Sequence, residues 1–157
     1  MKNRKSIIII IVVAIIAVVV AGILFFRQSR NADSAWSPEL DPNAVALVTD
    51  TEEAPTGIRI PGYPKITIPA DTTDVTMNLK NPEGNPCYFT FALVLTDNEE
   101  TIYTSKMVEP GKAITEVTLS RALEAGEYPA EIRITTSSLK DGSAMNGANV
   151  ETVLVVE

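Results

Sequence analysis

Twenty consecutive residues, Ile7 to Phe26, carry no charge and no strongly polar side chain, so the run lacks the polar stripe of a helix packed on a soluble core. As a helix it rises about 30 Å, the thickness of a bilayer's hydrocarbon layer, and a single transmembrane helix in contact with membrane lipid is the expected form. Lys2, Arg4 and Lys5 precede it, while Arg27 and Arg30 follow with Asp33, Glu39 and Asp41 close behind. The positive-inside bias then places the basic tail, residues 1–6, in the cytoplasm and everything after the span outside the cell. A cleaved secretory signal ending near Val19-Val-Ala21 is the alternative. The length of the run, and the greasy Gly-Ile-Leu-Phe-Phe end that cleavage would leave, favour an uncleaved signal-anchor.

Residues 27–56 are rich in Asp, Glu, Asn, Ser, Ala and Pro, and Pro38, Pro42 and Pro55 interrupt any helix, so they read as an acidic, disordered, flexible linker. Beyond it, residues 57–157 hold eight Lys and Arg against fourteen Asp and Glu, a difference of −6. Nucleic acid is excluded as a partner, because its phosphates need clustered cations. There is one cysteine and no histidine, which removes internal disulfides, thiolate-rich zinc sites and every nucleophile system built on imidazole. No cofactor is expected.

After Gly57, short β-branched and aromatic runs alternate with turn residues at a spacing of about ten, the pattern of an all-β sandwich. Seven strands are expected: Ile58 to Ile68, interrupted by Pro61 and Pro64; Val75 to Leu79; Tyr88 to Thr96; Thr101 to Val108; Ile114 to Leu119; Tyr128 to Thr136; and Val150 to Val156. Period-two alternation sets Val75, Met77 and Leu79 on one face, and likewise Ala130, Ile132 and Ile134. Cys87, Phe89, Phe91, Leu93 and Leu95 mark a central strand filling the core, with Cys87 as a small core hydrophobe. Turns are expected at Asn81 to Pro86, Thr96 to Glu100 and Glu109 to Gly111, and one helical turn at Ser120 to Ala125, capped by Ser120 and ended by Gly126.

The stretch Leu119-Ser-Arg-Ala-Leu-Glu-Ala-Gly-Glu-Tyr128-Pro-Ala130 resembles the corner before the sixth strand of immunoglobulin-like and fibronectin-like domains. The resemblance implies a seven-stranded immunoglobulin-like β-sandwich in which Tyr128 is buried and its hydroxyl bonds back to the connecting loop. Ala130 stands where an antibody-type domain has its second cysteine, and the third strand has no tryptophan, so the antibody type itself is excluded. Pro61-Gly-Tyr63, Asn81-Pro-Glu-Gly-Asn-Pro-Cys-Tyr88 and Glu109-Pro-Gly111, behind a basic start, a span and an acidic stalk, look like small anchored surface proteins of Gram-positive gut bacteria.

Carboxylates are the remaining candidates for chemistry. Asp71 with Asp74, and Glu99 with Glu100, lack the spacing of a calcium loop and read as solvated turns. Tyr63 and Tyr103 are either packing residues or exposed contacts. The polar stretch Lys140 to Asn149 reads as the longest loop of the domain, and Lys140, Asp141, Asn146 and Asn149 are its candidate binding residues. The expected function is a non-catalytic membrane-anchored module that engages an envelope protein or a glycan at the cell surface. The alternative is an accessory subunit of a secretion or conjugation machine, with the apolar helix itself part of the assembly.

Overall fold

The computed structural model describes residues 36–47 and 57–157. The basic tail, the apolar run and residues 27–35 and 48–56 of the expected linker lie outside the described residues. The described part is all-β, without a helix, in two open sheets that share one core. Eight strands follow in order: β1 Ala44–Ala46, β2 Lys65–Ile68, β3 Asp74–Asn81, β4 Cys87–Leu95, β5 Glu100–Thr104, β6 Lys112–Thr118, β7 Gly126–Ser138 and β8 Ala144–Val156. One sheet runs β1-β6-β3, the other β2-β8-β7-β4-β5, and every pairing is antiparallel except β2 with β8.

Alternation builds the core. Along β3 the odd residues Val75, Met77 and Leu79 are buried and their neighbours exposed, so one face of the strand is dry and the other wet. β4 is paired on both edges, and Cys87, Phe89, Phe91 and Leu93 are fully buried with Leu95 at 4 % exposure. Phe89 and Phe91 meet edge to face at 5.9 Å, where the positive ring edge of one faces the negative face of the other. Ala130, Ile132 and Ile134 of β7 and Leu154 and Val156 of β8 fill the same layer.

Several elements depart from the sequence expectation. The run from Ile58 is a strand only over Lys65–Ile68, because Pro61 and Pro64 have no N–H to give a ladder. The stretch expected to be linker contains β1, whose Ala44 lies opposite Ile114. It is pinned by Asp41, 9 % exposed, whose carboxylate accepts from the Lys106 N–H at 2.9 Å and the Asn43 N–H at 2.9 Å. The Asp41 N–H donates to the Met107 carbonyl, the Met107 N–H to the Glu39 carbonyl, and Glu39 pairs with Lys106 at 2.7 Å. Ser120 to Ala125 is an irregular, bent connection rather than a helical turn. The Ser120 N–H donates to the Ile102 carbonyl at 2.8 Å, and the Leu123 carbonyl accepts from the Asp71 N–H at 2.9 Å, so the segment is held at two points by backbone groups from distant parts of the chain.

Tyr128 is half-buried rather than buried; its hydroxyl donates to the Glu124 carbonyl at 3.0 Å, closing the corner before β7. The more deeply set phenol is Tyr63, 8 % exposed, whose oxygen accepts from the Lys80 N–H at 3.0 Å. Burial pushes its pKa up to about 12. Tyr103 also stands at about 12, through burial first and then the negative charge of Asp41.

Two phenols that ionise late contribute stability that is fully present below the ordinary tyrosine pKa of about 10 and is lost as pH rises toward about 12. Ultraviolet titration should therefore show two tyrosines ionising near pH 12, and Tyr63→Phe should remove one of them. That variant leaves the Lys80 N–H without its acceptor and should cost about 1 to 3 kcal/mol in a denaturant melt. Tyr128→Phe, at a wetter bond, should cost about 1 kcal/mol or less. Equal losses for the two would contradict the burial order.

Candidate functional site

Lys140, Asp141, Asn146 and Asn149 do not share a loop. The sequence expectation of a ten-residue polar connection fails because β7 and β8 pair almost to their ends, with Ser137 opposite Ala144. Only Leu139 to Ser143 turn. Lys140 and Asp141 sit in that turn, whereas Asn146 and Asn149 lie on β8. Polar residues with two glycines read as a loop, yet each of these side chains points to water and asks nothing of a core, so the ladder alone decides.

The turn is built from its own side chains. The Asp141 carboxylate accepts from the Ser143 N–H at 3.1 Å and the Ser143 hydroxyl at 2.8 Å, and the Gly142 N–H donates to the Ser138 carbonyl with Gly142 at a φ of 70°. The Ser143 hydroxyl foremost, then the Ser143 N–H, hold the Asp141 pKa below its usual range. Asp141 is thus occupied in shaping the turn.

Farther along, β8 carries one residue more than β7 between the Ile134–Ala148 and Thr136–Met145 pairs, a β-bulge at Asn146 and Gly147. The buried Thr136 hydroxyl donates to the Asn146 carbonyl at 2.7 Å, and a Cβ on Gly147 would run into the Ile134 carbonyl oxygen. The bulge leaves Met145 at 40 % exposure, near Leu139 at 42 %. The result is a hairpin whose free end shows two exposed apolar side chains together with the charged Lys140 and Asp141 of the turn.

Asn81 and Asn85 are the functional-looking residues that the sequence did not single out. Both lie in the expected turn, and both are buried, at 0 and 3 % exposure. The Asn81 amide donates to the Cys87 and Val108 carbonyls, each at 2.9 Å, and its oxygen accepts from the Asn85 amide at 2.9 Å. Asn85 in turn bonds both backbone groups of Arg59, at 2.8 and 2.9 Å. With every partner a protein group, this amide pair serves to seal one end of the core. The signal in the sequence is that Asn81 continues the inward register of Val75, Met77 and Leu79.

Three of these four carboxylates are bound to side chains from other strands or turns. The Asp74 carboxylate accepts from the Thr118 hydroxyl at 2.8 Å, and Asp71 occupies the left-handed region at a φ of 58°. Glu99 pairs with Arg133, and Arg133 also with Glu131. Arg121 grips both oxygens of Glu100, at 2.8 and 2.7 Å, and with Asn98 draws its pKa down to about 2. Among the described residues no three acidic or thiol side chains gather as a metal site. Burial raises the pKa of the Cys87 thiol, which favours the neutral form of a core residue.

No family model, no curated protein and no solved structure matches this chain.

Gly147→Ala should cost about 1 to 3 kcal/mol, because the new methyl meets backbone rather than a movable side chain, and denaturant melts with the neighbouring Ala148→Gly as a control would measure it. The Glu100 pKa, lowered to about 2, gives stability that is present above the ordinary glutamate range and lost as pH falls toward about 2. Melting temperature should thus decline over that acid window, and Arg121→Gln should flatten the part of the decline that Glu100 supplies. An unchanged acid profile in Arg121→Gln would show that the pair is without consequence.

Proposed function

We propose that the chain is a membrane-anchored, non-catalytic module held outside the cell by the Ile7 to Phe26 helix, with an immunoglobulin-like β-sandwich that engages another envelope protein or a glycan. The observation that carries this reading is the β7–β8 hairpin: two long strands stiffened by a bulge, ending in exposed Leu139 and Met145 beside Asn146 and Asn149. Apolar side chains held in water by a rigid scaffold suit recognition, since little ordering entropy remains for binding to remove. The immunoglobulin-like assignment is supported by the Tyr128 corner and by the order of β3, β6 and of β8, β7, β4, β5 in the two sheets. Asp74, Glu99 and Glu100, three of the four carboxylates considered for catalysis, are engaged in hydrogen bonds or ion pairs, which speaks for binding over turnover.

A photo-crosslinking residue placed at Leu139 or Met145 of the full-length protein on whole cells should capture a discrete partner, and one placed at Asp71 should not. Capture from none of these positions, or equally from all of them, would sink the reading. Turnover of any substrate abolished by a single carboxylate substitution, with the fold intact, would overturn the non-catalytic part.

A further inference from the structure

β2 covers only the last part of β8. Its register pairs Lys65 with Val153 and Ile68 with Val156, and nothing among the described residues pairs with Ala144 to Thr152 on that side. The Glu157 N–H donates to the Ile68 carbonyl at 3.1 Å, and the Glu157 carbonyl accepts from the Ala70 N–H at 3.0 Å, so Glu157 turns both its backbone groups toward β2. Backbone groups along a strand face alternate edges, which turns those of Val155, Val153, Glu151 and Asn149 the same way. Continuing the register one residue back sets Pro64 opposite Thr152, where an N–H would meet the Glu151 carbonyl. Proline has none, and the ladder stops there. The N–H and C=O groups of Asn149 and Glu151 therefore form an open sheet edge.

Native edges of this kind are usually blunted by lysine, proline or a covering segment. Here the residues from Ala144 to Val150 carry no charge, and the feature next to them is acidic. Glu151 lies directly opposite Glu131 on the outer face of the sheet. Like charges in that position destabilise a sheet. Glu131 has Arg133, but Glu151 has no ion pair among the described residues. The two carboxylates line a groove of about 540 Å³ beside the edge, together with Pro64, Pro129 and Thr152. The Thr152 hydroxyl, on a residue 6 % exposed, makes no hydrogen bond.

We propose that this edge takes an extended cationic segment of another polypeptide by β-addition. The segment's backbone pairs with the Asn149 and Glu151 N–H and C=O groups, and a Lys or Arg side chain enters the groove to lie between the Glu131 and Glu151 carboxylates. A cation there meets the Glu151 carboxylate, which has no ion pair of its own among the described residues while Glu131 is held by Arg133, on a chain whose net charge is −7. A second copy fits less well. Two β8 strands paired antiparallel about Val150 would drive the turn-side half of each into the other copy's β2, and would add acid to acid.

The inference rests on the binding-module reading and names a partner and a surface for it. The test uses the full-length protein in detergent micelles and a short peptide alternating lysine and valine, with two comparison peptides: one N-methylated at alternate residues, and one carrying glutamate for lysine. The lysine peptide should bind and slow hydrogen exchange at the Asn149 and Glu151 amides, while neither comparison peptide does. Added salt should weaken it, and Glu151→Gln should reduce affinity by up to about fivefold, the range of an exposed ion pair. Binding of the N-methylated peptide, protection elsewhere on the protein, or no binding at all would overturn the assignment. Protection of the same amides that rises with protein concentration in the absence of peptide would identify a second copy as the occupant and overturn it too. If the peptide fails while crosslinks from Leu139 or Met145 still capture a partner, only the edge assignment falls and the module reading stands.

Discussion

The inward row of β4, Cys87, Phe89, Phe91, Leu93 and Leu95, is the surface that the other elements are arranged to cover. Burying a large apolar side chain of this kind is worth about 1.5 to 3 kcal/mol, so this one strand concentrates a large share of what holds the two sheets together. A strand buried this deeply must have its N–H and C=O groups met by neighbours: β7 lies along one edge, and on the other β5 pairs from Ala92 on while Val108 and Ser105 meet the groups of Phe89 and Phe91. The smaller sheet then lies across the row, with Leu79 and Met77 of β3 and Ile114 and Val117 of β6 facing it.

A three-stranded layer is too narrow to close the ends of that core, and polar groups finish the work. At one end the Asn81 amide donates to the Cys87 carbonyl and to the Val108 carbonyl, which also accepts from the Phe89 N–H. At the other, Leu123 is folded under the corner that Tyr128 closes. Along the flank, Asp41 fastens the segment before β1 through backbone N–H groups, so a stretch with the composition of a linker becomes part of the sheet. Each device ties a backbone group to a side chain, and where that group is buried, leaving it unmet costs about 1 to 3 kcal/mol.

Two prolines connect the fold to its surface. Pro61 and Pro64 shorten β2 to its last residues, and the part of β8 left beyond them is held straight by β7 alone. The Gly147 bulge stiffens and twists that strand, keeping a flat edge from running the full length of the hairpin. Rigidity, exposure and unpaired backbone groups thus coincide on one element. They do so because pairing stops where the N–H groups stop.

The sequence by itself determined the all-β class, the inward residues of β3, β4 and β7, and Cys87 as a core residue, because period-two alternation and burial are local properties that any partner strand must respect. The bond from Tyr128 to the corner was legible for the same reason, since Gly126 and Tyr128 stand close in the chain. The tertiary structure alone decided what depends on distant partners. Asn81 and Asn85 became buried amides, the Ser120 to Ala125 segment was tied to Ile102 and Asp71 as a bent connection, and most of the expected loop, from Ala144 to Asn149, became paired strand. A polar residue looks the same in a turn, a linker or a ladder. Only the arrival of a backbone group from elsewhere in the chain, such as Lys106 at Asp41 or Ile134 at Gly147, settles which of these it is.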